Sequence, residues 1–337
     1  MKRLIILFLL ICTNSISAEV NIFSARHYDS DLNLYKKFTE QTGIKVNLVS
    51  GNDKALQKRI IEEDKDCVGD IYITSDAGRL GAFESKGMLQ HANWSDEIKK
   101  KVPIIFRSDA WVGIAKRARI IFYSPERVNQ SELQNLNYES LSEPNWKGRI
   151  VIRKSDNIYN QSLVSSLIEN NGKDETLKWA KSLVANMARS PKGNDRAQIL
   201  AVAAGEADLA IANTYYYALM LSGQKGEEQK IAAKKVLPFF PNQNNRGTHM
   251  NISGAGLLKF SPNKSNAIKL IEFLLSEEAQ KHIVNNTYEY SMLENISPNK
   301  LVPGKNLDFK QDNETDVKLY WDNQSEALKI MLLAGWK

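Results

Sequence analysis

Apolar and polar positions alternate along this chain with two periods. Val20-Asn21-Ile22-Phe23 has the two-residue period of a strand, and Ser30 to Thr42 carries Leu34, Tyr35 and Phe38 at helical spacing before Gly43. Ile44 to Leu48 alternates again, Lys54 to Glu63 reads as a helix, Asp70 to Thr74 as an apolar strand, and Ala77 to Lys86 as a helix stopped at Gly87. The chain therefore opens βαβαβ. Trp111 to Tyr123 is a long extended stretch, and Gly148 to Arg153 is a further strand followed by a helix around Gln161 to Glu169. Leu177, Ala180, Leu183, Val184 and Met187 mark another helix, Arg196 to Ala204 the next, and Leu209 to Ala212 a strand. Ala267 to Val284 predicts one long amphipathic helix, with Ile271, Leu274, Leu275 and Ile283 on one face. The order implies an α/β architecture with mainly parallel sheets and ligand groups outside the carboxyl ends of strands.

The first eighteen residues stand outside this pattern. Lys2 and Arg3 precede the apolar run Leu4 to Cys12, and Asn14-Ser15-Ile16-Ser17-Ala18 supplies small residues for cleavage after Ala18. That is the layout of a secretory signal peptide, and the run is far shorter than the ~20 residues of a spanning helix. The mature chain is expected to be exported and soluble. Loss of Lys2 and Arg3 from 45 basic side chains leaves 43 against 39 acidic, a formal charge of +4. So mild an excess, with no clustered basic stripe, argues against nucleic acid. Cys12 leaves with the signal, so Cys67 is alone and an intramolecular disulfide is excluded.

The candidate chemistry lies at strand ends. Tyr215, Tyr216 and Tyr217 follow the Leu209 to Ala212 strand, Tyr159 follows Gly148 to Arg153, His27 and Tyr28 follow the first strand, and Ser75 and Asp76 follow Asp70 to Thr74. A phenol has a reference pKa near ~10, so only a strongly charged neighbour such as a trivalent metal holds several as phenolates at neutral pH. Oxygen donors suit hard cations, and anionic phenolates offset ferric iron better than neutral imidazoles do. Several phenolates around one trivalent ion would bring negative charge in surplus. Arg26, Arg117 or Arg119 would supply a compensating cation; Arg117 and Arg119 share a strand face by alternation. Tyr217, adjacent on the same helix, faces another direction and reads as packing. Tyr35 and Tyr72 fit a helix face and a strand interior, and read as core.

Six segments carry a resemblance. Asn21-Ile22-Phe23-Ser24-Ala25-Arg26-His27-Tyr28, Gly69-Asp70-Ile71-Tyr72-Ile73-Thr74-Ser75-Asp76-Ala77-Gly78-Arg79-Leu80 and Asn213-Thr214-Tyr215-Tyr216-Tyr217 resemble the ferric-iron-binding periplasmic solute-binding proteins of bacterial ABC importers. Trp111 to Arg119, Asn157 to Leu163 and Gly247 to Gly254 are similar to their tyrosine-rich, FutA-like branch. The resemblance implies a type II periplasmic-binding-protein fold: two lobes, two crossover strands at the hinge near Trp111 to Arg119 and Asn242 to Gly254, and a ligand cleft between the lobes. It divides the mature chain into an N-terminal lobe, 19–116 plus 247–300, and a C-terminal lobe, 117–246 plus 301–337.

By motif position the metal ligands implied are Tyr28, Tyr159, Tyr215 and Tyr216. His27 matches a position that can ligate the metal, and stands either as a ligand or as a group behind the ligands. Some relatives place a glutamate on the loop after the third strand. This chain has Ser75 and Asp76 there, so water or a small anion would complete the coordination. The cargo implied is iron, Fe(III) by preference and Fe(II) with rearranged arginines. The protein would be a periplasmic monomer whose partners are the membrane permease and ATPase of an importer. Two other readings stand beside this one: a carrier of another small anionic ligand, and an enzyme using Cys67, for which no base is in view.

Overall fold

The computed structural model describes residues 18–26 and 28–337. Residues 1–17, on which nearly all of the expected signal peptide falls, and His27 lie outside the described residues. The strands are β1 (Glu19–Ser24), β2 (Lys45–Ser50), β3 (Ile71–Thr74), β4 (Trp111–Tyr123), β5 (Ile150–Val151), β6 (Leu209–Asn213), β7 (Leu237–Phe239) and β8 (Met250–Leu257). They join in the order β2-β1-β3-β8-β4-β6-β5, with β7 also on β4. Helices cover the faces, so the inner strands are apolar on both sides. Every residue of β8 is buried, and in β4 only Lys116 and Tyr123 are not fully so.

The expectation of mainly parallel pairing holds only for the outer strands. β1 pairs in parallel with β2 and β3, and β5 with β6. The centre is antiparallel: β8 against β3 and β4, and β4 against β6 and β7. Periodicity identifies a strand but not its direction, which the intervening connection sets. β4 is the organising element. It pairs with β8 along Trp111 to Ala118, then changes partner and pairs with β6 along Arg119 to Tyr123.

The long helix expected over Ala267 to Val284 is two helices, Lys264–Leu274 and Glu277–Thr287. Ser276 caps the second, its hydroxyl accepting from the Ala279 amide at 3.2 Å, with Glu277 and Glu278 at the favourable end of the dipole. The apolar face runs on through the break, which is why spacing alone hides it. Tyr288 then closes the helix in the left-handed region, at φ 59°, and turns the chain inward.

Close packing at the β3-β8-β4 junction requires Gly254. A Cβ there would lie 2.6 Å from Leu80 Cδ1 and 3.0 Å from the Val112 carbonyl oxygen. Gly254→Ala is expected to cost about 1–3 kcal/mol by overpacking, seen as a lower urea midpoint with an unchanged slope. No described helix is long and apolar enough to cross a membrane.

Candidate metal-binding site

The helix Ile158–Asn171 begins three residues before the start that periodicity gives, so Tyr159 sits in its first turn. Helix Thr214–Leu221 starts directly from β6 and carries Tyr215 and Tyr216 in its first turn. Tyr28 arrives from the loop after β1. All four phenols line one cavity of about 450 Å³, together with Arg26, Arg117 and Ser75. Tyr215 Oη donates to Tyr159 Oη at 3.4 Å, Ser75 Oγ is 3.5 Å from the same oxygen, and the rings of Tyr215 and Tyr216 lie 4.2 Å apart.

Two guanidiniums hold these rings. Arg26 lies 4.6 Å from the centre of the Tyr28 ring, and Arg117 lies 5.1 Å from that of Tyr159. Glu289, 1% exposed, pairs with both: it bonds Arg26 Nη1, approaches Arg117 at 3.8 Å and accepts from Ser253 Oγ at 2.6 Å. Asp31 takes the other side of Arg26 at 2.8 Å. Arg117 also donates to the Ser75 carbonyl.

Arg119 and Asp76 do not line the cavity. Arg119 bonds Asn160 at 2.6 Å and Asn213 and Asp195 at 3.1 Å each, so it ties together the starts of the two tyrosine-bearing helices from behind. Its divergence from Arg117 follows the change of strand partner at that residue. Asp76, fully buried, caps the helix Ala77–Ser85 through the Gly78 amide at 2.8 Å. It also accepts from Ser162 of the Ile158–Asn171 helix at 2.9 Å and from Asn251 of β8 at 2.9 Å. Tyr217 turns away, its ring 5.0 Å from Phe122 and its hydroxyl donating to the Val236 carbonyl at 2.9 Å. Burial pushes that phenol up to about 12.

Sequence reasoning missed Glu289 and Arg153. Arg153 reaches over Tyr159 at 5.7 Å while pairing with Asp195 at 3.3 Å. No local signal marks Glu289, a single acid between Tyr288 and Tyr290.

The surroundings of Tyr28, Tyr215 and Tyr216 favour the neutral phenol. Burial raises the Tyr28 phenol well above its ordinary value, the Glu289 charge adds to this, and Arg26 opposes it. Tyr215 is raised by burial and then by Tyr159, Tyr216 and Tyr28, against Arg117. Tyr216 is raised by burial and Tyr159. A cation entering here must displace protons to gain anionic donors. Among the described residues no group of three or more His, Cys, Asp or Glu side chains is arranged to hold a metal.

A cleft between strand ends, walled by residues brought together by long crossing strands, defines a solute-binding protein of the two-lobed periplasmic type. The chain belongs to the bacterial extracellular solute-binding protein family, whose model matches residues 67–316. It is 46% identical over 321 residues to iron uptake protein A1 of Synechocystis, covering 95% of this chain and 88% of that one. It is 27% identical to the Fe(3+)-binding periplasmic protein of Serratia marcescens, over 93% of this chain and 89% of that one. Among solved structures, the Trichodesmium protein IdiA, or FutA, in complex with iron and citrate superposes with a TM-score of 0.90 at 45% identity, covering 95% of this chain and 100% of that one.

Proposed function

We propose that this protein captures Fe(III) in its interlobe cleft through tyrosine phenolates and delivers it to an ABC-type importer from the periplasm. The observation that carries the reading is the convergence of Tyr28, Tyr159, Tyr215 and Tyr216 on one cavity, backed by Arg26 and Arg117. Iron supplies the concentrated positive charge that makes phenolates of these buried phenols; the two guanidiniums offset the surplus negative charge of four phenolates on a trivalent ion. Tyr28 comes from the lobe 19–116 plus 247–300, and the other three from the lobe 117–246 plus 301–337, so a bound ion clamps the two together. The change of β4 from β8 to β6 at Arg119 supports that division. The short helix Leu319–Asp322 packs on Ala77–Ser85 as well as on Ile158–Asn171, so the second segment of the C-terminal lobe touches both sides. The closed-over cleft is the form a permease and its ATPase would read, with the carrier acting as a monomer.

The enzyme reading finds no support. Cys67 is buried, and burial raises its thiol above the usual value, the opposite of an activated nucleophile.

Ferric iron added to the purified protein is expected to produce a visible phenolate-to-metal charge-transfer band; a protein that stays colourless overturns the reading. Affinity, measured against a competing chelator, falls as pH falls. The sign follows from the raised values of Tyr28, Tyr215 and Tyr216: below them these three phenols hold their protons, so each that binds iron releases one, and affinity drops by up to ~10-fold per pH unit for each. A pH-independent affinity would remove the phenolates from the coordination.

A further inference from the structure

We propose that a second ligand site lies behind the hinge strands, in a cavity of about 980 Å³ that takes a small aromatic monocarboxylate on Lys116. The site is independent of the metal cleft. Lys116 and Tyr290 form an antiparallel bridge, with amide-to-carbonyl distances of 2.8 and 2.7 Å. Their neighbours Arg117 and Glu289 line the metal cavity, while Lys116 and Tyr290 line the rear one. Alternation along these two segments thus sends side chains to opposite faces of one backbone rung.

The Lys116 ammonium is short of partners. It interrupts an otherwise buried strand, makes a long hydrogen bond of 3.4 Å to Gln311 Oε1, and lies 5.7 Å from the centre of the Phe106 ring. Burial lowers its affinity for its proton, with Glu294 opposing. An ammonium desolvated without a close anion is costly, and a carboxylate on it would relieve that cost.

Charge around the cavity selects a monoanion. Lys101 is paired with Glu97 at 2.5 Å and Arg246 with Glu139 at 2.6 Å. Lys100, Lys116 and Lys310 then stand against Glu294 and Glu314, an excess of one positive charge among the described lining residues. The remaining wall is mixed: Ser291, Asn295, Gln311 and Asn313 are polar, while Phe106, Tyr290, Met292 and Phe309 form a buried apolar side on which the rings of Tyr290 and Phe309 are 5.8 Å apart. Ile104, 58% exposed, stands at the mouth. A flat ring carrying one carboxylate matches both halves of this lining.

Calorimetric titration of the purified protein with 1-naphthoate tests the site, with 1-naphthalenemethanol as the uncharged counterpart. One saturable site is expected for naphthoate, about tenfold or more tighter than for the alcohol. Lys116→Met keeps the stem and removes the buried charge; it should weaken naphthoate about tenfold or more without lowering the melting temperature. Ile104→Glu, at an exposed position, should weaken it several-fold by repulsion. Tyr215→Phe should bind naphthoate as the parent does, which separates this site from the metal cleft. Absence of saturable binding at millimolar naphthoate, or parental affinity in both Lys116→Met and Ile104→Glu, overturns the proposal.

Discussion

Tyr215→Phe and Tyr216→Phe are each expected to weaken ferric iron binding by more than the ~10–100-fold typical of losing a group behind a metal ligand. Each removes one anionic donor while leaving the ring in place, so the charge-transfer band should also shift and weaken. The double variant should be close to colourless. The empty protein barely changes, because Tyr215 loses only a 3.4 Å contact to Tyr159. Tyr217→Phe is the control: it forfeits one buried hydrogen bond, about 1 kcal/mol of stability, and keeps parental iron affinity. Competition against a chelator, followed by absorbance, reads all four. Parental affinity in both Tyr215→Phe and Tyr216→Phe would mean that the metal sits elsewhere.

The second large effect falls on stability. Glu289→Ala leaves Arg26 and Arg117, each 1% exposed in its side chain, without the carboxylate they share. Removing one partner from a buried ion pair costs about 3–5 kcal/mol, against a total stability of about 5–15 kcal/mol for a domain. Asp31 still holds Arg26 at 2.8 Å and Asp76 stays 3.8 Å from Arg117, so the loss should fall near the lower end of that range. Urea unfolding of the iron-free protein measures it. Glu289→Gln, which keeps the hydrogen bond from Ser253 but not the charge, should lose less. Equal stability of Glu289→Ala and the parent would show that the two guanidiniums do not depend on this carboxylate.

The strands and the tyrosines were legible in the sequence for different reasons. Burial of one or both faces writes a strand into consecutive residues, so β1, β3, β4 and β6 stand out locally. Tyr215 and Tyr216 advertise themselves by adjacency, and Tyr28 and Tyr159 by following strands. Direction of pairing was not legible, since Trp111 to Tyr123 reads as extended whichever way its neighbours run. Nor was the break at Ser276, because the apolar stripe of Lys264–Leu274 continues into Glu277–Thr287. Glu289 was missed because its meaning depends on Arg26, 263 residues away in the chain. A lone acidic residue carries no period and no spacing. Arg117 and Arg119 show the limit of alternation: two residues apart on one strand, they serve different tasks because β4 changes partner between them.

Asp76 has a mechanical consequence. Its carboxylate takes hydrogen bonds from the Ile158–Asn171 helix, from β8 and from the start of its own helix, all out of reach of solvent. A movement that drew those three elements apart would strand a buried carboxylate, whereas a rotation about it would leave every bond intact. This corner beside the cleft therefore resists being parted, because the acid that joins its three elements is fully buried and would lose its partners with no water to replace them.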